Sequence, residues 1–194
     1  MKRIILLILL QILPASIFAW EITPHENDGY YTSSYEEDMK YLQQYPEEDR
    51  QFVLDMVRKY WVPVMFISRL HKIESQYNQS AIRHERNGTV SIGYGQLNSV
   101  NQEWFADKFN GGNIVDFYDK NTNIRLSIIY YRYLFEAMDG DWMDATVAYN
   151  FGIGRLKRGD TIPDSTIEYM FLVLYGKAYI PCVQILHGAA EGIL

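Results

Sequence analysis

The sequence predicts a mainly α-helical domain with one small β-hairpin. Two observations indicate this fold class. Apolar residues recur at helical spacing through most of the chain, as at Val64, Ile67 and Leu70. Strand-like residues occur only beside Asn87-Gly88, a dipeptide that favours a tight hairpin turn. We therefore expect helices to build the core and the hairpin to form one wall beside them.

The first 19 residues have the features of a targeting segment rather than of a folded domain. Lys2-Arg3 precedes an apolar run, and small residues lead to Ala19, which is the pattern of a secretory signal peptide. The run is too short to span a bilayer comfortably, and no later stretch is apolar enough to do so. We expect an exported protein, periplasmic or secreted, without an integral membrane segment after the signal is removed.

Composition divides the remaining chain into three parts. With 194 residues, of which 48% are hydrophobic and 22% charged, the chain fits one globular domain. We expect an acidic, tyrosine-rich arm over residues 20–45, the folded domain over residues 46–180 and a tail over residues 181–194. Nine acidic and two basic residues lie between positions 20 and 50. Such runs are usually solvated, but the tyrosines predict that part of the arm packs on the domain.

Neither charge nor cysteine content indicates a nucleic-acid-binding or metal-binding protein. The net charge is −6, and no basic segment suits nucleic acid. Cys182 is the sole cysteine, which excludes an intrachain disulfide and a zinc site built on thiolates. His71 lies three residues before Glu74, but without a His-Glu-x-x-His motif it is interpreted as a surface residue. We predict no cofactor and no metal.

Six helical segments are predicted in order along the domain. Pro46 and Pro63 mark the first two starts, since proline suits the first turn of a helix. Ser99 and the Gln three residues later resemble a capping box for the third helix, in which Trp104 is expected to face inward. The remaining helices are expected over residues 120–138, over residues 141–150 and from about residue 161 onward.

Glu74 closes the second of these helices and is the candidate catalytic residue. Ser75 and Asn78 follow it, and short polar side chains that compete for the backbone should end the helix there. Carbonyl groups at a helix C-terminus disfavour a nearby negative charge, and aromatic neighbours would desolvate it, so we expect a raised pKa for Glu74. A general acid needs such a pKa near neutral pH, although most Glu residues at helix ends are simply solvated.

A glycine-rich segment follows the hairpin. In Gly93-Tyr94-Gly95-Gln96-Leu97-Asn98, two glycines flank an aromatic residue and would let the backbone approach a bound molecule. Gln96 and Asn98 would supply amide hydrogen bonds. The segment matches neither a dinucleotide fingerprint nor a phosphate loop, and no Gly-x-Ser-x-Gly elbow indicates a serine nucleophile.

Three ordered motifs resemble those of a known family. They are Glu74-Ser75, then Gly93-Tyr94-Gly95-Gln96-Leu97-Asn98, then Ala148-Tyr149-Asn150-Phe151-Gly152. They are similar to motifs of the lytic transglycosylases of the soluble-transglycosylase type, particularly the small enzymes that accompany secretion systems. The resemblance covers roughly residues 62 to 175 and implies a lysozyme-like domain. Tyr94 and Gly95 depart from the family's pattern, which has Leu and Met at these positions.

The resemblance also implies roles for the candidate site residues. Glu74 would protonate the bond between MurNAc and GlcNAc and then act as base on the muramyl 6-hydroxyl, giving a 1,6-anhydro end. The substrate's N-acetyl group would assist, so one carboxylate would suffice. The Tyr149 hydroxyl is expected within reach of Glu74, and Gln96 in contact with Glu74 or the sugar. The implied substrate-binding residues are Ser75, Gly93, Tyr94, Gln96, Asn98, Tyr149 and Asn150.

Two other interpretations remain open from the sequence. A muramidase would hydrolyse the same bond but needs a second carboxylate opposite Glu74. A non-catalytic wall-binding assembly factor would use the fold without turnover. In each case the expected partner is the glycan strand of peptidoglycan, with proteins of an envelope secretion apparatus as further candidate partners. The candidates for the second carboxylate are Asp116, Asp139, Asp141 and Asp144.

Overall fold

The structure, a computed structural model, describes residues 34–178. This part of the chain is mainly helical, as predicted, with a three-stranded antiparallel sheet. None of its helices combines the length and apolar character needed to cross a membrane. The predicted signal peptide (1–19) and tail (181–194) lie outside the described residues. The elements are α1 (Tyr35–Leu42), α2 (Glu47–Tyr60), α3 (Val64–Ser75), β1 (Ile82–His84), β2 (Val90–Ile92), β3 (Leu97–Asn98), α4 (Gln102–Phe109), α5 (Lys120–Ala137), α6 (Trp142–Val147), α7 (Ile153–Lys157) and α8 (Asp164–Tyr175).

Helix α5 lies at the centre of the domain and joins its two parts. It packs against α2, α4 and α6. Ile124 and Ile128 belong to a large apolar cluster with residues of α2, α3, α6 and α8, whereas Leu126 belongs to a smaller cluster with β2, β3 and α4. Because successive residues of one helix face different directions, α5 packs against the large cluster on one side and against the smaller cluster with the sheet on another.

The sheet is built on the predicted hairpin. β1 and β2 pair antiparallel with Arg83 opposite Ser91, and the turn falls at Asn87-Gly88 as expected. Gly88 has a φ of 82°, a conformation that glycine adopts without strain. β3, which was not predicted, pairs with β2. Two residues are too few to show the alternation by which a strand is recognised in sequence.

Helix α1 lies in the segment that the sequence predicted to be an arm. It packs against α3, and both Leu42 and the following Tyr45 are only 1% exposed. Ser34 caps the helix by accepting a hydrogen bond from the backbone N–H of Glu37. The described part of the predicted arm thus packs on the helical domain within residues 35–45.

His71 is a fully buried core residue, which corrects its interpretation as a surface residue. Its Nδ1 lies 2.9 Å from the Tyr45 hydroxyl and its Nε2 lies 2.8 Å from Ser127 Oγ. Ser127 Oγ donates to the backbone oxygen of Ile124, so it accepts from His71 Nε2–H, and Nδ1 accepts from Tyr45. This neutral histidine connects α3 to α5 and to the segment after α1.

The start of α4 also differs from the prediction. Ser99 does not form the capping box, because its hydroxyl accepts a hydrogen bond from the backbone N–H of Val90 in the sheet. Asn98 instead caps a short 3-10 turn, Ser99–Asn101, that precedes α4. Trp104, expected to face inward, is 40% exposed, with its ring packed on Phe105 and Phe109.

Burial lowers the pKa of His71 from 6.5 to about 3, and this predicts a pH-dependent stability. Between these pH values the unfolded chain binds a proton that the folded protein excludes, so the His71 contribution is lost as the pH falls. In His71→Gln the free energy of unfolding should depend less on pH in this window, by up to about 1.4 kcal/mol per pH unit. Urea denaturation of both proteins from pH 7 to pH 4 measures the difference. Parallel curves would contradict the prediction.

Candidate active site

Glu74 occupies the last turn of α3 with its carboxyl group directed into the protein. The helix ends at Ser75 as expected, and Gln76 and Tyr77 have φ values of 54° and 60°, the left-handed conformation that ends helices. The Glu74 side chain is 8% exposed. Burial removes water from the carboxylate and thereby raises the pKa of Glu74. The predicted direction is confirmed, and burial is the principal cause.

One hydrogen-bond donor, Tyr169, and one nearby cation, Arg83, face the Glu74 carboxylate. The Tyr169 hydroxyl on α8 donates to Oε1 at 2.7 Å, and Arg83 Nη1 on β1 lies 4.0 Å from Oε2. Both favour the ionised form and so oppose the effect of burial on the pKa, whereas the carboxylate of Glu85 adds to it. The effect of burial on the pKa is larger than the opposing effects of Tyr169 and Arg83, so the pKa of Glu74 remains raised. A buried, oriented carboxyl group with a raised pKa is suited to proton donation.

Tyr149 does not make the hydrogen bond that was expected of it. Its hydroxyl donates to the backbone oxygen of Gly95 at 2.8 Å, and Tyr169 is the donor to Glu74. A buried carbonyl requires a partner, and Tyr149 supplies it. Burial raises the pKa of Tyr149, and the charge of Glu74 raises it further, so the two side chains remain electrostatic neighbours.

The glycines at positions 93 and 95 permit a close approach to α5. A Cβ atom on Gly95 would lie 2.4 Å from the Cβ of Ser127, and one on Gly93 would lie 2.5 Å from Nδ2 of Asn123. Asn123 is fully buried; its Oδ1 accepts from Gly95 N–H at 3.0 Å, and its Nδ2 donates to the Ile92 oxygen at 2.8 Å. The approach that the sequence analysis assigned to a bound molecule is thus made by the protein itself.

Tyr94 and Ser75, two of the expected substrate-binding residues, are buried. Tyr94 is 1% exposed, and its hydroxyl donates to Asp49 at 2.6 Å. Asp49 also pairs with Lys120 Nζ at 2.5 Å. The Ser75 hydroxyl is 3.1 Å from the backbone oxygens of His71 and Tyr94. These two side chains fasten the glycine segment to α2, α3 and α5, because buried polar groups must be paired.

Gln96 and Asn98 bind the surrounding loop. Gln96, expected in contact with Glu74 or the sugar, donates from Nε2 to two backbone oxygens, including that of Gly93 at 3.1 Å. Asn98 Oδ1 accepts from the Val100 N–H at 3.1 Å. Both side chains remain partly exposed.

Tyr149 and Asn150 lie in a π-helical turn, Ala148–Gly152, between α6 and α7. Such turns are rare and occur frequently at functional sites. Asn150 is exposed, and its Oδ1 accepts from Thr166 Oγ1 on α8 at 2.8 Å. The sequence predicted one continuous short helix here, because a single wider turn leaves no periodic signal. Asp141 does cap α6, as expected.

The sequence analysis missed three residues that shape the site: Tyr169, Asn123 and Arg83. Tyr169 lies one turn before Val173 on the buried face of α8, and that spacing was an available signal. Asn123 is a polar residue at the start of the buried stripe of α5, which also marks a specific partner. Arg83 carried no comparable signal, because the hairpin sequence does not indicate what faces it.

Residues 53–168 match the family described as the Transglycosylase SLT domain, over more than half of the 194 residues. The chain belongs to the transglycosylase SLT domain family. Proteins with an SLT domain are lytic transglycosylases that act on peptidoglycan, so the resemblance to the lytic transglycosylase family is confirmed. Tyr169, the donor to Glu74, is the first residue beyond the matched range of the SLT domain. No curated protein matches the chain.

The SLT domain shows no metal-ligand cluster among residues 34–178. No group of three His, Cys, Asp or Glu side chains in this range is placed to hold a metal ion. Both ring nitrogens of His71, the histidine nearest to Glu74 in sequence, are engaged with Tyr45 and Ser127.

The packing of Gly95 on α5 predicts a large effect of a single methyl group. Gly95→Ala should destabilise the fold by about 1–3 kcal/mol, since the neighbouring Ser127 and Tyr149 would have to move. Gly154→Ala on α7 is the matched control, because the atom nearest to its new Cβ, Nη1 of Arg158, would be 3.6 Å away. It should be neutral or stabilising by up to about 1 kcal/mol. Chemical denaturation of both variants measures this, and equal stabilities would refute the packing argument.

Proposed function

We propose that the protein is a peptidoglycan lytic transglycosylase that cleaves the MurNAc-β-1,4-GlcNAc bond and leaves 1,6-anhydromuramyl ends. The observation that carries the proposal is the buried carboxyl group of Glu74, with its raised pKa and its hydrogen bond from Tyr169. A residue that acts first as acid and then as base needs a pKa near the working pH. Membership of the SLT domain family supports the same reaction.

The proposed reaction consumes no water. Glu74 gives its proton to the oxygen between MurNAc C1 and GlcNAc C4, the C1–O bond breaks, and GlcNAc leaves as an alcohol. The carbonyl oxygen of the substrate's N-acetyl group stabilises the positive charge at C1. The Glu74 carboxylate then takes the proton of the 6-hydroxyl while O6 bonds to C1. Glu74 is thereby protonated again for the next cycle.

The side chains around Glu74 divide into two proposed roles. Gln96, Asn98 and Asn150 are at least partly exposed and are the proposed polar contacts for the sugar. The other expected binding residues would act through the backbone that they fix. Tyr149 would hold the Gly95 carbonyl in place beside the acid. The residues proposed to shape the wall in this way are Ser75, Gly93, Tyr94 and Tyr149.

A muramidase that hydrolyses the same bond is the second candidate, and a carboxylate near Glu74 is the observation that favours it. Glu85 acts on the pKa of Glu74, whereas the four aspartates proposed from the sequence are not among the groups that shift it. Asp141 is instead engaged in capping α6, and Asp116 accepts from the N–H of Tyr118. A muramidase would use the second carboxylate to position water and would leave reducing ends.

We further propose that the protein acts in the cell envelope after export. Peptidoglycan, the substrate of SLT domain proteins, lies outside the cytoplasmic membrane, and the predicted signal peptide over residues 1–19 would direct the chain there. The motif resemblance to small secretion-associated enzymes supports wall remodelling for insertion of an envelope-spanning apparatus. Proteins of that apparatus are the proposed partners besides the glycan strand.

Replacement of the acid should abolish turnover. Glu74→Gln should reduce cleavage of purified peptidoglycan by about 10²–10⁴-fold, because it removes the proton donor and keeps the side-chain volume. Glu103→Gln removes an exposed carboxylate from α4 and should cleave like the wild type. Mass spectrometry of the products distinguishes anhydro ends from the reducing ends of a muramidase. Equal cleavage by wild type and Glu74→Gln would exclude Glu74, and no cleavage by the wild type would favour a wall-binding factor.

The hydrogen bond from Tyr169 predicts a shift in the pH dependence of cleavage. In Tyr169→Phe the ionised Glu74 loses a donor, its pKa rises, and the alkaline limb of the pH–rate profile should move upward by about one pH unit. Tyr149→Phe should move the limb less, because its hydroxyl donates to Gly95. Rates between pH 4 and pH 9 measure both profiles. A larger shift in Tyr149→Phe would mean that Tyr149 is the functional donor.

A further inference from the structure

Arg83 lies near two carboxyl groups, the buried one of Glu74 and the partly exposed one of Glu85. Its Nη1 lies 4.0 Å from Oε2 of the buried Glu74, and its Nε donates to Oε1 of Glu85 at 2.9 Å. We propose that Arg83 and Glu85 form a positioning pair on the hairpin that sets the protonation state of Glu74. The inference rests on the proposed function in that Glu74 is taken to be the acid, but the pair's effect on Glu74 is testable without turnover.

Glu85 is fixed by donors from both strands of the hairpin. Ser91 Oγ on β2 donates to Glu85 Oε1 at 2.6 Å, and Arg83 on β1 donates to the same oxygen. The hydrogen bond from Ser91 and then the one from Arg83 lower the pKa of Glu85, so this carboxylate is ionised at neutral pH. The antiparallel register places Arg83 opposite Ser91, which makes this three-residue cluster a product of the hairpin.

The two members of the pair act on Glu74 in opposite directions. The Arg83 cation favours ionisation of Glu74, and the Glu85 anion opposes it. The Arg83 side chain is 58% exposed, and its bond to Glu85 restricts where the cation lies. Tyr169 and Tyr149, the other titratable side chains that interact with Glu74, are uncharged at neutral pH because burial raises the pKa of both. Arg83 and Glu85 are therefore the charges that adjust the acid.

The pair is better suited to this electrostatic role than to holding the fold together. Both residues lie at the hairpin, outside the two apolar clusters of the domain. Ion pairs between exposed side chains contribute little to stability, because water screens them and ordering the side chains costs entropy. The carboxyl group of Glu74, in contrast, is shielded from solvent by the protein. Its interactions with nearby charges are therefore screened less by water and salt.

Substitutions of the two residues should shift the pKa of Glu74 in opposite directions. Arg83→Gln should raise it and Glu85→Gln should lower it, each by about half a unit. The pKa is measured by NMR titration of ¹³C-glutamate-labelled protein, with the Glu74 carboxyl resonance assigned from Glu74→Gln. Arg86→Gln removes an exposed cation from the same hairpin and should change the Glu74 pKa less. The alkaline limb of the pH–rate profile should move in the same direction as the pKa in each variant.

Opposite shifts in the two variants, with a smaller shift in Arg86→Gln, would establish the pair. Shifts of the same sign, or none, would overturn it, because a merely structural role changes the rate or the stability without this sign pattern. The NMR titration also separates the two proposals. If the two variants show the opposite shifts but the wild-type protein does not cleave peptidoglycan, the electrostatic pair is retained and the proposed reaction is refuted.

Discussion

The docking of the glycine segment on helix α5 is the contact on which the site depends. Gly93 and Gly95 bring their backbone against α5, and the buried Asn123 accepts from Gly95 N–H and donates to the oxygen of the adjacent Ile92. Tyr149 also donates to the Gly95 carbonyl, so the segment is held both by α5 and by the π-helical turn. The wall beside Glu74 therefore derives its rigidity from a helix that contributes no catalytic group itself.

The electrostatics of Glu74 reflect a conflict between folding and chemistry. Burial of a carboxylate is unfavourable and raises the pKa of Glu74. The folded protein thus holds a proton that the unfolded chain releases, so this group's contribution to stability falls as the pH rises through the raised pKa. Tyr169 and Arg83 reduce that cost without removing it. The buried Glu74 lowers the stability of the fold at the position where proton transfer is proposed, and such a loss of stability is common at active sites.

The elements that the sequence predicted well are those governed by local rules. The end of α3, the hairpin turn at Asn87-Gly88 and the extent of α5 follow from polar residues that cap or interrupt helices, from a turn dipeptide and from apolar periodicity. The raised pKa of Glu74 was also predictable in direction. Errors arose at residues whose neighbours are distant in sequence, such as His71, which was assigned to the surface although both ring nitrogens have buried partners.

By itself the sequence indicated six of the eight helices of the described residues, Glu74 as the candidate acid and the family to which the motifs belong, because each of these is encoded in neighbouring residues. The tertiary structure decided which hydroxyl group reaches Glu74. Tyr149 and Tyr169 are both tyrosines on helical segments, and only their packing shows that the first binds a backbone carbonyl and the second the carboxylate. A hydrogen bond needs its two atoms within about 3 Å, and the fold alone brings residues 95 positions apart to that distance.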